Sequence, residues 1–462
     1  MNVLVQKTIT AYIYLLLMIV NADLHIHSRF SMAVSQKMTL SVLSKEAAKK
    51  GVALVGTGDC LHPVWLKELK EMQKIDEGTF QLNDKTFPKK SFQVYATEFQ
   101  QEFLAFSEKP KAFPENGKSY FPYNKTRFIL TTEVEDRNRV HHLIFFPSVS
   151  SVEEFVKKIK NKTKLEIDGR PKLWLSGEEI AEYAKDVDAL IGPSHAFTPW
   201  TAIYAYHDSL KGCYGDLADY VSFAELGLSA DSDYADRIKE LKRLTFLTNS
   251  DAHSPYPLRL AREFNRFEIE EANFESIKNA ILRKKGKIIL NVGLPPQEGK
   301  YNESACIKCY RHYTMIEAVM KKWRCPCGGT IKKGVKDRVE ELSDYPEPHH
   351  PEHRPKYLHL IPLAEIIAKA LDTTPLTKTV FAEWNNLIKK FGNEVRILVD
   401  ADMDEIAAST NEKIADAIQA FRENRIIVHP GGGGRYGRIE LPDDKTTWKQ
   451  PKSGGQKSLF DF

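Results

Sequence analysis

The chain has 462 residues, enough for two to four domains and a sizeable hydrophobic core. It carries 66 Lys and Arg residues against 62 Asp and Glu residues, a formal charge of +4, which excludes nucleic-acid binding through global charge. Any such contact must be local. The six cysteines, four of them clustered, do not form the pattern of a secreted disulfide framework, so we expect a cytoplasmic protein.

The N-terminal residues include an apolar stretch, Ala11 to Val20, that is too short to span a bilayer and lacks a cleavage signal. It runs directly into a strand with candidate metal ligands, so its removal would damage that strand. We therefore interpret residues 1–17 as a dispensable extension before a natural start at Met18. A signal peptide is the alternative, and no membrane contact is expected.

Two histidines end the first predicted strand. His25 and His27 are two residues apart, so in an extended strand both side chains share one face and can bind one metal ion. Four later apolar runs end in residues that metals prefer, and a fifth begins with His141 and His142. The residues at the ends of the four runs are Asp59, Glu133, His195, Asp251 and His253.

Helical patterns separate several of these strands. The segment 39–50 is closed by Gly51, and Ser176 with Glu179 forms a capping box that begins a helix to about Lys185. Alternating strands and helices, with polar residues gathered at strand ends, predict a barrel-like α/β domain with its site at one mouth.

In order, the motifs Asp-Leu-His-Ile-His-Ser, Thr-Gly-Asp, Thr-Thr-Glu-Val-Glu, Pro-Ser-His and Ser-Asp-Ala-His resemble those of the PHP (polymerase and histidinol phosphatase) phosphoesterases. The resemblance implies a distorted β/α barrel with two or three catalytic divalent metals, namely Zn²⁺ or else Mg²⁺ or Mn²⁺. Carried over by motif, the metal ligands would be His25, His27, Asp59, Glu133, His142, His195, Asp251 and His253.

Two of these assignments have alternatives. Where many relatives read Thr-Asp-His, this chain reads Gly-Asp-Cys-Leu-His, so Asp59 is the preferred ligand, with Cys60 or His62 still open. His142 is preferred to His141 because it directly precedes the Leu-Ile-Phe run, as the family's histidine does.

The metals would activate water for attack on phosphorus, because a bound cation lowers the pKa of water and stabilises the transition state. Three side chains have further predicted catalytic roles. Asp251 or His195 could carry a proton, and Arg29, next to the histidine pair, could hold the scissile phosphate.

Beyond the barrel, Cys306 and Cys309 form one pair and Cys325 and Cys327 a second. Paired cysteines at this separation, followed by two glycines, indicate a zinc ribbon, although the second pair encloses one residue instead of two. We expect the four thiolates to hold a structural Zn²⁺ in a closed site without catalytic function.

Two segments carry candidate DNA contacts. The ribbon is rich in basic residues with interleaved aromatics, which can bind phosphates and stack on bases; lysines kept for solubility are the alternative. Near the C-terminus, four consecutive glycines could let backbone amides approach a phosphate or displaced base, unless they form a plain flexible turn. The candidate DNA-binding residues of both segments are Lys321, Lys322, Arg324, Arg435, Tyr436 and Arg438.

The pattern after the ribbon is mainly helical. Residues 360–371 and 377–391 are predicted to be helices, and residues 395–400 a strand. Ser409 with Glu412 resembles a capping box that begins another helix.

The last residues contain Gln456-x-x-Leu459-x-x-Phe462. This anchor spacing is typical of peptides that bind a sliding clamp (PCNA) through one helical turn; a frayed apolar end is the alternative.

Taken as a whole, the chain resembles a family of DNA repair endonucleases found mainly in archaea. The resemblance implies cleavage of damaged DNA on the 5′ side of uracil, hypoxanthine, xanthine or an abasic site. We expect a monomer. A phosphoesterase for small molecules and a non-catalytic, clamp-associated DNA-binding module are the alternatives.

The expected organisation is an α/β protein with a PHP-like barrel, a small zinc ribbon and a mainly helical C-terminal domain. The predicted segments are 1–17 (extension), 18–297 (catalytic domain, with 81–127 inserted), 298–340 (ribbon), 341–357 (linker), 358–440 (helical domain) and 441–462 (tail with the clamp peptide).

Overall fold

A computed structural model of the chain describes residues 17–82, 119–120 and 126–442. Most of the predicted extension and insertion lie outside the described residues, as does the clamp peptide with Gln456, Leu459 and Phe462. Among the helices of the described part, none has both the length and the apolar character needed to cross a bilayer.

The predicted mixed α/β architecture is confirmed. The strands are β1 (Met18–Asp23), β2 (Leu54–Gly56), β3 (Gln73–Asp76), β4 (Thr79–Gln81), β5 (Ser119–Tyr120), β6 (Arg127–Ile129), β7 (Thr131–Glu135), β8 (His141–Phe145), β9 (Leu190–Pro193), β10 (Phe223–Glu225), β11 (Thr245–Leu247), β12 (Phe264–Ile269), β13 (Lys287–Gly293), β14 (Ala305–Cys306), β15 (Ile331–Lys332), β16 (Lys356–His359), β17 (Ile427–His429) and β18 (Arg438–Glu440).

Helices alternate with these strands. They are α1 (Leu40–Lys50), α2 (Pro63–Lys70), α3 (Val149–Ile159), α4 (Gly177–Asp186), α5 (Ile203–Tyr206), α6 (Leu210–Tyr214), α7 (Ser232–Ala235), α8 (Phe274–Ile281), α9 (Met315–Met320), α10 (Val335–Leu342), α11 (Leu363–Ala370), α12 (Lys378–Phe391), α13 (Met403–Ala407) and α14 (Glu412–Arg422). Short 3₁₀ turns lie at Gly215–Tyr220, Lys239–Arg243 and Pro296–Glu298.

The largest sheet has the strand order β16-β13-β12-β1-β2-β6-β4-β3, with β5 beside β1. Strand β1 pairs in parallel with β2 and antiparallel with β12, while β7, β8 and β9 form a separate antiparallel sheet. Strands β10 and β11 form a parallel pair. Strand β1 is buried on both faces, with Val20 and Ala22 on one face and the polar residues Asn21 and Asp23 on the other all fully buried.

Several local predictions are confirmed and two are wrong. Helix α1 ends at Gly51, and α4 begins with the reciprocal hydrogen bonds of the Ser176 and Glu179 capping box. However, residues 396–400 form a π-helical turn where a strand was predicted, because the chain resumes a helical backbone at residues 394–395, after α12 has ended at the cap residue Gly392. Helix α14 is capped by Asn411 and not by Ser409, since the Asn411 side chain accepts a hydrogen bond from the third helical amide.

The C-terminal helices share one hydrophobic core with the α/β part of the chain. Glu394 is central to this junction. Its Oε1 pairs with Lys50 at the end of α1, 2.5 Å away, and accepts a hydrogen bond from the amide of Leu363. Its Oε2 accepts the indole N–H of Trp384 at 2.7 Å. Lys50 and Glu394 side chains are each 3% exposed, so the two charges neutralise each other away from water.

We predict that Glu394→Ala lowers the free energy of unfolding by about 3–5 kcal/mol, because it leaves the Lys50 ammonium buried without its partner. Urea unfolding followed by tryptophan fluorescence measures the change. The matched control is Asp186→Ala, which removes a half-exposed partner of Lys158 and should cost less than about 1 kcal/mol. Equal effects of the two substitutions would contradict the assigned role of Glu394.

Candidate active site

The candidate ligands lie at the ends of strands that meet at one edge of the fold. His25 and His27 follow β1, Asp251 and His253 follow β11, and a short parallel bridge joins these two segments. Strands β7 to β10 bring in further imidazoles and carboxylates, namely Glu133, His141, His195 and Glu225.

Glu133 lies at the centre of this group with a fully buried carboxylate. Its Oε1 is 2.9 Å from Nε2 of His195 and 3.0 Å from Nδ1 of His141. Nε2 of His25 lies 3.7 Å from the same oxygen, and Nε2 of His27 lies 3.5 Å from Oε2. One carboxylate therefore connects four imidazoles from three separate segments.

Asp251 closes the group on the side that faces solvent. Its Oδ1 is 3.1 Å from Nε2 of His27 and 3.8 Å from Nε2 of His25. The ring of His253 lies 4.7 Å from the ring of His27, and its Nδ1 bonds the backbone oxygen of Asp251 at 2.9 Å. Since the Asp251 side chain is 28% exposed, the cluster opens to solvent here and a substrate can reach it.

Buried carboxylates hold the histidine pair from behind. Nδ1 of His25 lies 2.9 and 3.0 Å from the two carboxylate oxygens of Glu225, and Nδ1 of His27 lies 3.2 Å from Asp59 Oδ1. A carboxylate on Nδ1 fixes the tautomer with a proton on that nitrogen, which leaves Nε2 with a lone pair for a cation. Both Nε2 atoms point toward Glu133 and Asp251.

The electrostatics of the cluster favour added positive charge. Burial would lower the pKa of His25, but Glu225 and Glu133 outweigh burial and raise it to about 9. Burial likewise opposes protonation of His27, yet Asp251 and Asp59 raise its pKa to about 10. Without a cation, protons on the histidines therefore balance the carboxylates.

The donor set fits divalent cations. His25 Nε2, His27 Nε2 and Asp251 Oδ1 are buried, and in the described part of the chain none of them forms a hydrogen bond. Two groups of three residues each place their ligand atoms within 4.8 Å of one another: His25, His27 and Asp251, and Glu133, His141 and His195. Imidazole nitrogens and carboxylate oxygens are suitable ligands for zinc and similar metals.

Asp59 does not lie among these ligand atoms, although it was predicted to be a ligand. Its Oδ2 accepts hydrogen bonds from the amide and hydroxyl of Ser28 and the hydroxyl of Ser31, and its Oδ1 faces His27. Its geometry is that of a residue that orients His27. The alternatives do not lie among the ligand atoms either: His62 stacks on Phe30 with ring centroids 4.3 Å apart, and Cys60 belongs to none of the ligand groups in the described part of the chain.

The preference for His142 over His141 does not agree with the geometry. Strand β8 pairs with β7 so that His141 lies opposite Glu135 and His142 opposite Val134. Because neighbouring residues of a strand face opposite sides of the sheet, only His141 shares a face with Glu133. His142 points into a separate buried pocket behind the sheet.

The arginine nearest the cluster is also not the one that was predicted. Arg29 pairs with Glu68 at 2.5 Å and lies 5.1 Å from the ring of its neighbour Phe30. Arg170 instead places Nη1 3.4 Å from Glu133 Oε2. Burial would lower the pKa of Arg170, but the carboxylates of Glu133, Asp251 and Asp168 raise it.

Sequence reasoning missed Arg170 and Glu225. For Glu225 a signal was present, because the run Val221-Ser-Phe-Ala-Glu225 is another apolar strand that ends in a carboxylate. Glu225 also accepts hydrogen bonds from the amide of His195 at 2.8 Å and from Asn249 Nδ2 at 2.8 Å. Arg170 lies in a loop that no pattern linked to the strand ends.

Three candidate site residues have a left-handed backbone, an uncommon conformation for residues other than glycine. The φ angles of Asp59, His195 and Asp251 are +49°, +30° and +48°. Each follows a strand end, and the turns place His195 and Asp251 among the ligand atoms and Asp59 behind His27. The chain thus holds strained turns where three side chains must converge.

The four ribbon cysteines lie together, with all four sulfurs within 4.8 Å of one another. Cys306 Sγ is 3.5 Å from Cys327 Sγ, and Cys309 Sγ is 3.6 Å from Cys325 Sγ. These distances suit the corners of a tetrahedral zinc site. Only this cluster among the described cysteines brings four thiols together, since Cys60 and Cys213 are isolated from it.

The glycine-rich loop packs against the ribbon. The amides of Gly431, Gly434 and Gly437 donate to the carbonyls of Gln297, Lys300 and Glu298, and a Cβ on Gly433 would lie 2.4 Å from the carbonyl oxygen of Cys306. These amides are therefore already hydrogen-bonded within the protein, and the glycines let the backbone of residues 431–437 approach that of residues 297–306. The predicted DNA-binding side chains Lys321, Lys322, Arg324, Arg435, Tyr436 and Arg438 are all exposed.

Comparison with known proteins extends these observations. A family model described as "MJ0043 C-terminal domain" matches residues 362–425. The uncharacterised protein MJ0043 of Methanocaldococcus jannaschii is 49% identical over 260 residues, which cover 55% of this chain and 32% of that protein. The chain thus spans about a third of the length of this relative.

Two solved structures match nearly the whole chain. The lesion-specific endonuclease from Pyrococcus furiosus is 47% identical, with a TM-score of 0.81 over 94% of this chain and 98% of that one. A complex of endonuclease Q with a 27-mer duplex substrate that has an abasic lesion at the active site is 47% identical, with a TM-score of 0.78 over 92% and 98% of the chains. The two structures represent a class of endonucleases that act at DNA lesions. This chain belongs to the endonuclease Q family, which confirms the predicted resemblance.

We predict that Glu225→Gln weakens divalent-metal binding by about 10- to 100-fold, because an amide cannot hold His25 Nδ1–H as a carboxylate does. Competition with a chelating dye measures the affinity. The control is Glu263→Gln. Burial raises the pKa of Glu263 to about 8, so that carboxyl is already neutral near pH 7 and an amide should be tolerated. A similar loss in both variants would argue against a specific role for Glu225.

We also predict that metal binding to the stripped protein strengthens steeply as the pH rises. A neutral pH lies below the pKa values of His25 and His27, which are about 9 and about 10. Both side chains are therefore protonated, and a cation must displace both protons. Loss of two protons strengthens apparent affinity by up to about 100-fold per pH unit. Calorimetric titration between roughly pH 6 and pH 8, in buffers of different ionisation enthalpy, counts the released protons; a pH-independent affinity would refute this reasoning.

Proposed function

We propose that this chain is a DNA repair endonuclease that hydrolyses the phosphodiester on the 5′ side of a damaged base or abasic site. The observation that carries the proposal is the buried cluster around Glu133, which opens to solvent at Asp251. Its family membership supports DNA as the substrate, since one relative of 47% identity is bound to a duplex with an abasic lesion. Uracil, hypoxanthine and xanthine are the proposed damaged bases.

In this proposal, His25, His27 and Asp251 hold one cation and Glu133, His141 and His195 hold a second. When bound, divalent cations would supply charge to stabilise the phosphoryl oxygens and would lower the pKa of a water molecule. Glu225 and Asp59 keep the histidine pair oriented. Nε2 of His195 faces Glu133 and its Nδ1 is buried, so His195 serves as a ligand, and the departing 3′-oxygen takes its proton from water at the open side of the cluster.

We assign the scissile phosphate to Arg170 in place of Arg29. The guanidinium of Arg170 already lies beside Glu133, and its side chain is 28% exposed, so it can reach a phosphate at the mouth of the cluster. Arginine suits this role because its planar fork can bond two phosphate oxygens at once. The damaged nucleotide must leave the base stack, which costs least where pairing is already weak.

The remaining parts of the chain have proposed supporting roles. The strands of the α/β part are proposed to form a distorted barrel, and the helices α11 to α14 a helical C-terminal domain that packs against it. The ribbon is proposed to hold a structural Zn²⁺, while the catalytic cluster binds two or three ions of Zn²⁺, Mg²⁺ or Mn²⁺. The exposed basic residues of the ribbon and the glycine-rich loop would bind DNA phosphates. A clamp contact through the tail, a monomeric state and a cytoplasmic location complete the proposal.

Labelled duplexes with a single uracil, hypoxanthine or abasic site test the activity directly. We expect a single cut on the 5′ side of the lesion, no cut in the undamaged duplex, and no cut after chelation. Asp251→Asn should slow cleavage by at least about 100-fold while lesion binding persists, because an amide is a poorer metal ligand. The surface variant Asp186→Asn serves as the control.

Other outcomes would favour the alternatives. Rapid turnover of a phosphate monoester without cleavage of any lesion duplex would indicate a small-molecule phosphoesterase. Lesion binding that never leads to cleavage, in wild type as in Asp251→Asn, would indicate a DNA-binding module.

The two arginines can be separated in the same assay. We predict that Arg170→Ala lowers kcat/KM by about 100-fold through loss of a charge-assisted phosphate contact worth a few kcal/mol. Arg29→Ala should change kcat/KM by less than about threefold, because Arg29 is engaged with Glu68. A larger loss of kcat/KM in Arg29→Ala than in Arg170→Ala would assign the phosphate contact to Arg29 instead.

A further inference from the structure

A second group of potential metal ligands lies behind the sheet formed by β7, β8 and β9. We call it the back-face pocket and define it by Asp136, His142 and Cys213. The ligand atoms of these three residues lie within 4.8 Å of one another. Asp136 and His142 are fully buried, and Cys213 is 6% exposed. The catalytic cluster uses none of them.

In the back-face pocket, hydrogen bonds hold one side-chain atom of Asp136 and one of His142 in place. Asp136 Oδ1 accepts hydrogen bonds from the amides of Asn138 and Val140, 2.7 and 2.8 Å away. Nδ1 of His142 lies 2.8 Å from the hydroxyl of Tyr214. These contacts fix the carboxylate and the imidazole, and they turn the other oxygen and the other nitrogen toward each other.

Those inward atoms have no hydrogen-bond partner in the described part of the chain. Asp136 Oδ2 and His142 Nε2 are both buried without a bond, and they lie 3.6 Å apart, too far for a direct hydrogen bond. An unpaired buried polar atom costs about 1–3 kcal/mol, so a partner is needed. Ligands of a tetrahedral ion bound at about 2.0–2.3 Å lie roughly 3.3–3.8 Å apart, which matches the observed separation.

We propose that Asp136, His142 and Cys213 bind a structural divalent cation, zinc by the chemistry of the donors. A thiolate, an imidazole and a carboxylate are the ligand types that zinc combines in proteins.

The pocket is closed, as a structural site requires. A Cβ added to Gly177, the first residue of α4, would lie 2.7 Å from Cys213 Sγ and 3.1 Å from His142 Cε1. Helix α4 therefore begins directly against the ligands and leaves little room for a substrate. Bound there, the ion would join strand β8, the turn after β7 and helix α6 into one unit.

The position of this unit links it to the catalytic cluster. His141 and His142 are consecutive in β8, so the strand would carry one ligand for the catalytic cations and one for the structural ion. The cation behind the sheet would fix the register and the tilt of the strand that presents His141. The inference does not depend on the proposed nuclease activity, because it concerns only the donor atoms of the pocket.

Crystals of the full chain, from protein produced with added zinc and purified without chelator, provide the first test. Anomalous difference maps above and below the zinc absorption edge should show a peak between Asp136, His142 and Cys213, separate from the peaks at the ribbon and at Glu133. The absence of this peak, with a direct Asp136–His142 hydrogen bond in its place, would overturn the proposal. This test needs no variant and is independent of folding defects.

Metal counting provides the second test. Cys213→Ser should contain one equivalent of zinc less per chain than the wild type by plasma mass spectrometry. The control is Cys60→Ser, which alters the other isolated buried cysteine and should retain the full zinc content. Equal zinc contents in the wild type and Cys213→Ser would count against the site.

Discussion

The site depends on carboxylates that lie behind the histidines. Glu225 and Asp59 occupy Nδ1 of His25 and His27, which leaves both Nε2 atoms directed toward Glu133 and Asp251. Without them each imidazole could rotate or change its tautomer, and the donor atoms would no longer converge. Glu225 also holds the amide of His195, so one buried side chain aligns ligands from two strands. The order of the histidine ligands therefore depends on the buried carboxylates behind them.

Much of this arrangement could be predicted from the sequence. The apolar runs and the polar residues at their ends correctly indicated an α/β fold, and the structure places Glu133, His195 and Asp251 beside the histidine pair. What could not be predicted is which of several adjacent polar residues faces the cluster. The choice between His141 and His142 depends on the register of β8 against β7, and no local pattern reveals that register.

Site residues that are not metal ligands were harder to find than the ligands themselves. Arg170 approaches Glu133 from a loop, and a loop has no periodicity that would mark the direction of its side chains. The same holds for the glycine-rich loop, where composition suggested a phosphate-binding turn or a flexible one. The structure shows a third solution, in which the missing side chains let the backbone of residues 431–437 pack against the start of the ribbon.

The buried ion pair between Lys50 and Glu394 has a consequence for how the parts of this molecule can be separated. The α/β part depends on later segments of the chain to bury its apolar residues. Strand β16 completes its largest sheet, and the C-terminal helices cover its core. Cutting the chain after residue 297 would expose that core and leave the Lys50 ammonium without its partner Glu394. Such a fragment would be expected to aggregate, so its inactivity would reveal nothing about chemistry. The catalytic and C-terminal segments are better regarded as a single folding unit than as interchangeable modules.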